Sequence, residues 1–332
     1  MSIPMIDLGR NLDCTAPLAR QTATELYQAL STIGFAYIRG HTVSAQTREA
    51  AFAASREFHA SPLEKKNLLA INAAHRGYMP LESNTIVTSS IARVSRPNLS
   101  ESLMLMHELP ADDPGLLAGL PMQGPNQWPD WIPDFKPRVQ QYIAEVDAVA
   151  RYIVQLVAMS LDLPAHALDP YFEKPTTFLR MLHYPPQAPD DQANFGSAPH
   201  TDYGFVTLLA QDDSGGLQVR PRVGEWIDAP PIEDAFVLNV ADMLSRWTNG
   251  RFMSTPHRVI NRSGKDRYAL PYFLDTSMDA VIECLPTCVD AEHPAKYPPM
   301  RYGDRLMEHM SKNYDYRKSP AAAPGAAQAV QA

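Results

Sequence analysis

A mixed α/β fold, with an antiparallel jelly roll or sandwich flanked by helices, is what this sequence predicts, and two features carry that expectation. From residue 176 onward the chain breaks into short apolar or alternating runs separated by Gly, Pro, Asp and Asn, without the intervening helices that parallel strands need. Before that point, apolar residues recur mainly at helical spacing. With 332 residues, 45% of them hydrophobic, the chain has the material for a sizeable core.

Taken in order, residues 3–8 read as a short strand. Thr15 and Pro17 open an amphipathic helix with Leu18, Leu26, Leu30 and Ile33 on its apolar face, and Gly34 ends it. A strand at 35–38 and a helix at 44–58 follow. Ser61-Pro62-Leu63-Glu64 matches a capping box with Pro at the first helical position. Between 73 and 137 Pro, Asn and Ser are frequent, so extended loops are expected, until Asp134 and Pro137 introduce a long helix. Its stripe is Val139, Tyr142, Ile143, Val146, Val149, Ile153, Leu156 and Val157. Strands are expected at 178–184, 205–210, 217–219, 225–228, 235–240 and 268–274, with a hairpin turn at Asp212-Asp213-Ser214-Gly215-Gly216. A polar helix at 305–312 precedes an Ala-, Pro- and Gln-rich tail, 319–332, expected to be disordered. The chain thus divides into an N-terminal region (1–135), a long helix with its connection (136–175), a jelly-roll core (176–280), a C-terminal strand and helix (281–318) and the tail, all treated as one structural unit.

Bulk properties exclude several function classes. The formal charge is −8 and the basic residues are scattered, so no footprint for nucleic acid is visible. Cys14, Cys284 and Cys288 make no disulfide framework and lack the second ligand pair of a zinc module. No leader pattern and no apolar run of about 18 residues is present. A cytoplasmic protein without membrane contact is expected, and the absence of a long heptad favours a monomer.

The chemistry lies in Ser197-Ala198-Pro199-His200-Thr201-Asp202-Tyr203-Gly204. Residues i and i+2 of an extended chain point to one side, so His200 and Asp202 can converge on one ion. His257, in Thr255-Pro256-His257-Arg258-Val259, is the candidate third ligand, returned to the same place by intervening strands. Two imidazoles and a carboxylate on one face leave three octahedral positions open, the arrangement of non-haem iron oxygenases. The triplet alone decides nothing, because 10 histidines and 37 acidic residues in 332 positions yield about one His-x-Asp/Glu by chance.

Context decides it. The segment GSAPHTDYGFVTLLAQDDSGGLQV, followed by GEWIDAPPIEDAFVLNVADMLSRWTNGRFMSTPHRVINRSGKDRYALPYFLD, resembles the isopenicillin N synthase-like family of iron(II)/2-oxoglutarate-dependent oxygenases in motif order and spacing. Upstream, IPMIDLGR, GFAYIRGH, SPLEKKNLLA, RGYMP, NLSESLMLMHEL, NQWPD and LRMLHYPP are similar to that family's N-terminal half. The resemblance implies a distorted double-stranded β-helix, a cupin-like jelly roll. It assigns iron(II) to His200, Asp202 and His257, and the distal carboxylate of 2-oxoglutarate to Arg267 with Tyr184 beside it. It also implies oxidation of a small molecule by O2 with release of succinate and CO2, ascorbate serving as a reductant in some members.

One departure stands out. Where the family has a serine two residues after the arginine, this chain has Ala269, and Leu182 stands where many plant members have an asparagine. Losing one hydroxyl donor to a charged acceptor costs ~1.5–3 kcal/mol if nothing replaces it, or roughly 10- to 150-fold in co-substrate affinity. That keeps ascorbate-dependent and ethylene-forming oxidases as alternatives; a zinc hydrolase and a non-catalytic binding protein are more distant ones.

Other residues take plainer readings. Tyr203, Phe205, Trp226 and Trp247 are core or pocket wall. Asn239 and Asp242 read as turn hydrogen-bonders ahead of a site role, and His183 as structural. Arg180, on an apolar strand, needs either a substrate carboxylate or a structural ion-pair partner. The loop 77–98 and the helix 305–316 are the expected substrate-covering parts, mobile without ligand.

Overall fold

The computed structural model describes residues 2–89, 91–92, 94–188, 194–222 and 224–317, and the expected disordered tail lies outside them. Fourteen strands and seven helices are described. The first half contains β1 (Met5–Asp7), α1 (Pro17–Thr32), β2 (Phe35–Arg39), α2 (Ala45–His59), α3 (Leu63–Asn67), β3 (Gly77–Met79), β4 (Glu101–Met106), α4 (Pro114–Leu117) and α5 (Phe135–Ser160). The second half contains β5 (Thr176–Tyr184), β6 (Ser197–His200), β7 (Val206–Gln211), β8 (Leu217–Val219), β9 (Ile227–Asp228), β10 (Phe236–Val240), α6 (Asp242–Trp247), β11 (His257–Val259), β12 (Arg267–Asp275), β13 (Val281–Ile282), β14 (Met300–Arg301) and α7 (Tyr302–Asn313).

Eight strands form one sheet in the order β1-β2-β10-β7-β12-β5-β4-β3, and four form a second in the order β6-β11-β8-β9. Every pairing except β1 with β2 is antiparallel. The large sheet is sandwiched. One face packs on α1, α2 and α5 through Leu179, Met181, Leu208, Leu238, Leu270 and Tyr272. Its other face turns Leu182, Tyr184, Val237 and Ala269 toward Leu217, Val219 and Val259 of the small sheet. Period-two alternation fixes this division, since odd and even residues of β5, β7, β10 and β12 belong to different layers. β10, buried on both faces, reads as an apolar run broken only by Asn239.

Several sequence expectations need correction. Leu18 is 40% exposed, and α1 buries Ala19, Ala23, Leu26, Ala29 and Leu30 instead. Eight residues at ~100° each leave Leu18 about 80° from Leu26 around the helix. Ser61 forms no capping box; Pro62 occupies the N-cap of α3 without a side-chain bond, while Ser61 Oγ donates to the Glu57 carbonyl and accepts from Trp131 Nε1. The stretch 73–137 is not all loop. It contributes β3 and β4, whose residues are buried without alternation and so carry no period-two signal. The run at 212–216 is no hairpin, because β7 pairs with β10 and β12 whereas β8 pairs with β9 and β11. It carries the chain from the large sheet to the small one. Gly216, at φ +88°, lies where a Cβ would meet the Ile260 carbonyl oxygen at 2.5 Å.

Candidate active site

The edge strand β6 of the small sheet and its neighbour β11 assemble the candidate metal-ligand set. His257 on β11 is the cross-strand partner of His200 on β6, which brings the ring centroids to 4.3 Å. Asp202 follows β6 by two residues, and its Oδ1 lies 3.6 Å from Nε2 of both histidines. One ligand atom from each residue falls within 4.8 Å of the others, and no fourth His, Cys, Asp or Glu joins the group among the described residues.

Each ligand is oriented by a second contact. His200 Nδ1 lies 2.7 Å from the Ala198 carbonyl oxygen and His257 Nδ1 3.3 Å from that of Thr255. Donation from Nδ1–H leaves both Nε2 lone pairs free for an ion. Asp202 Oδ2 accepts from Thr207 Oγ1 at 2.6 Å and from Asn239 Nδ2 at 2.7 Å, leaving Oδ1 for the histidine side. Thr207 and Asn239 are themselves cross-strand partners on β7 and β10. Burial, and then the neighbouring His257, lower His200 to about 4, so its imidazole is neutral and ready to ligate. Burial opposes charge on Asp202, yet His257, His200 and the two hydrogen bonds win and hold its carboxyl below the usual range. The donor set fits iron(II): neutral imidazoles, an ionised carboxylate and an open side.

That open side faces two cavities. The inner one, about 610 Å³, lies between the sheets and is lined by Leu182, Tyr184, Val259, Arg267 and Ala269 together with the three ligands. Arg267 is fully buried; its Nε donates to the Gly215 carbonyl at 2.6 Å, its Nη2 to Gln211 Oε1 at 3.2 Å, and it sits 4.7 Å from the Tyr184 ring centroid. Its Nη1 is buried with no partner. A buried guanidinium holding an orphaned donor in a cavity beside the metal ligands fits the distal carboxylate of 2-oxoglutarate. The Ala269 methyl adds no donor there.

The outer cavity, about 680 Å³, shares Arg180, Ser197, His200, Asp202 and Phe273 with the inner one and is walled by His75, Ile86, Met104, Phe178, Tyr203 and Met310. Residues 84–88 and the end of α7 meet along its wall. Asn84 bridges to Tyr314, Asn313 Nδ2 donates to Thr88 Oγ1 at 2.7 Å and also to Tyr203, and Thr85 N–H donates to the Asn313 carbonyl.

Most of the residues singled out from sequence meet here: His200, Asp202, His257, Arg267, Tyr184, Ala269, Leu182 and Arg180 all line the cavities. Tyr203 is pocket wall, and Phe205 and Trp247 are core, but Trp226 is half-buried elsewhere under the Arg258 guanidinium at 4.2 Å. Asn239 is not a turn residue; it lies in β10 and donates to the Asp202 carboxylate. Asp242 accepts from Ser254 Oγ instead. His183 pairs with Glu101 and Asp266, each at 2.8 Å, on the helix side of the sheet. Sequence reasoning did not single out Thr207, Gln211 or His75. Alternation along β7, which puts 207, 209 and 211 on one face, was the available signal for the first two.

Comparison with known proteins points the same way. Residues 175–276 match the model of the 2OG-Fe(II) oxygenase superfamily, and residues 3–131 that of the non-haem dioxygenase in morphine synthesis N-terminal region. The 2-oxoglutarate-Fe(II) type oxidoreductase hxnY of Emericella nidulans is 36% identical over 319 residues, covering 94% of this chain and 90% of that protein. The 2-oxoglutarate-dependent dioxygenase citB of Monascus ruber is 34% identical over 83% of this chain and 85% of its own length. Among solved structures, a full-length Neurospora crassa protein in complex with alpha-KG and thymine superposes with a TM-score of 0.81 at 29% identity, over 93% of this chain and 96% of that one. JOX2 in complex with 2OG, Fe and JA superposes with a TM-score of 0.75 at 26% identity, over 95% and 90% of the two chains.

Proposed function

From a chain that belongs to the 2-oxoglutarate–Fe(II) oxygenase superfamily, we propose a site in which His200, Asp202 and His257 hold the iron, Arg267 receives 2-oxoglutarate beside Tyr184 and Ala269, and the substrate enters the outer cavity. The protein is an oxidoreductase that uses iron(II), 2-oxoglutarate and O2 to oxidise a small molecule, and this membership replaces the zinc-hydrolase reading. Bound iron supplies open positions at which co-substrate and oxygen meet, so that decarboxylation to succinate and CO2 drives oxidation of a substrate C–H bond.

The chain's own residues do the rest. Thr207 and Asn239 fix the Asp202 carboxylate, the carbonyls of Ala198 and Thr255 set the imidazole tautomers, and Arg267 anchors the far end of the co-substrate through its orphaned Nη1. Apolar walls at Leu182, Val259 and Leu217 exclude water from the inner cavity. Region 176–280 carries the chemistry, while 1–135 and 281–318 shape the entrance. The acidic charge and scattered basic residues favour a small molecule over nucleic acid, and we read the chain as a cytoplasmic monomer. No described helix is long and apolar enough to cross a membrane.

The carrying observation is the convergence of three ligand atoms with no fourth ligand group among the described residues. A small-molecule screen for substrate-dependent succinate release under iron(II), 2-oxoglutarate and O2 tests the reading. Product without equimolar succinate would favour an ascorbate-dependent or ethylene-forming relative, and failure to bind 2-oxoglutarate would overturn the site assignment.

A further inference from the structure

A second arginine stands on the substrate side of the ligands. Arg180 shares the inward face of β5 with Leu182 and Tyr184, and lines both cavities. Its Nε donates to Ser102 Oγ at 3.0 Å, while its Nη2 is buried with no acceptor. None of the ion pairs among the described residues involves it, although 12 other lysines and arginines find acidic partners within 4.0 Å. A guanidinium that faces a cavity without a counter-ion is costly unless a ligand completes it.

The surroundings define that ligand. Ile86, Met104, Phe178, Phe273 and Met310 give the outer cavity an apolar wall, suited to a hydrophobic body. His75 lines the same cavity, and its Nε2 also lacks a partner. Its Nδ1 contacts the Tyr316 hydroxyl; in the tautomer that accepts there, Nε2 carries the ring proton and is a second donor. Burial, then Arg317, Arg180 and Arg76, keep His75 neutral, so it adds a dipole and no second charge. Arg180 lines the outer cavity together with His75 and both cavities together with His200.

We propose that Arg180 is the specificity-determining residue of this enzyme, binding a carboxylate on an otherwise apolar substrate whose body fills the outer cavity. This rests on the site assignment above, with Arg267 taken by 2-oxoglutarate. A forked guanidinium–carboxylate contact turns the substrate's opposite end toward the open face of the ligand set and fixes which C–H bond is presented.

The test uses the full chain loaded anaerobically with iron(II) and 2-oxoglutarate. Dissociation constants are measured by calorimetry for 3-phenylpropanoate, cyclohexylacetate and 2-naphthoate, each against its primary amide and its methyl-terminated analogue. The wild type is expected to prefer at least one carboxylate over both analogues by about tenfold or more. Arg180→Met and the hydrogen-bonding Arg180→Gln are expected to reduce that preference to about threefold or less, with 2-oxoglutarate affinity unchanged within about threefold. A wild type that shows no carboxylate preference, or a preference that survives both substitutions, overturns the inference. Loss of 2-oxoglutarate binding in the Arg180 variants would also overturn it, by assigning that arginine to the co-substrate. A wild type that binds no 2-oxoglutarate at all would instead sink the underlying site assignment.

Discussion

Asp202 turns one oxygen to the scaffold and the other to the two histidines, and under the proposed iron site that division can be measured. Oδ2 is held by Thr207 and Asn239, so Asn239→Ala is expected to weaken iron(II) binding by about 10- to 100-fold with the fold intact, read by anaerobic metal titration. An unchanged affinity would mean that Thr207 alone orients the carboxylate. Ala269 provides the converse case. Restoring a hydroxyl with Ala269→Ser puts a donor in the inner cavity near the orphaned Arg267 Nη1, and 2-oxoglutarate should bind about tenfold more tightly by calorimetry. At this scale the convergence of His200 and Asp202 was legible because they sit two apart on extended chain. Asn239 was not, because its contact depends on β10 lying beside β7, a fact of strand order that no local spacing encodes.

Elements meet at Asp275, the last residue of β12. Its Oδ1 accepts from the Phe205 N–H at 2.6 Å and its Oδ2 from the Tyr302 hydroxyl at 2.7 Å, which ties the ligand loop and α7 to the large sheet. A Cβ on Gly204 would lie 1.6 Å from Oδ1, so only glycine fits there. Burial, outweighing these two bonds, pushes the Asp275 carboxyl up to about 7. The folded state therefore keeps its proton where the unfolded chain has lost it, and this group's stability contribution declines as pH rises from about 4 to about 7. Asp275→Asn removes that slope. Urea midpoints for wild type and variant should diverge between pH 5 and pH 8, the wild type losing more; parallel profiles would show that the carboxyl ionises normally. Helices of this size announce themselves by period, as α5 does, whereas β4, buried on both faces, gave only the four-residue apolar run Leu103 to Met106 behind Glu101 and Ser102. β6 and β11, which hold the histidines, are only four and three residues long, with Pro199 inside the first and Pro256 just before the second, so an extended segment could be read there but not the pairing of one with the other.

Across the whole molecule, helices, large sheet and small sheet form three layers, and the candidate site lies between the second and third. One wall of the outer cavity is built from segments far apart in sequence, residues 84–88 and the end of α7, joined through Asn313. The sequence marked both segments as covers, but their mutual contact spans 225 residues and is a property of the assembled fold. Removing the link with Asn313→Ala should loosen the cover and admit water. Succinate formed per substrate oxidised should then rise by about twofold or more, whereas an unchanged ratio would mean that the cover does not seal the site.

The most direct test is an anaerobic titration of the full chain with iron(II) and then 2-oxoglutarate, followed by metal analysis and by visible absorbance, which reports co-substrate chelating the metal. One iron per chain, one 2-oxoglutarate per iron and loss of both the metal and the absorbance in His257→Ala are the expected results. Full iron occupancy in His257→Ala, or 2-oxoglutarate binding that needs no metal, would contradict the three-ligand centre.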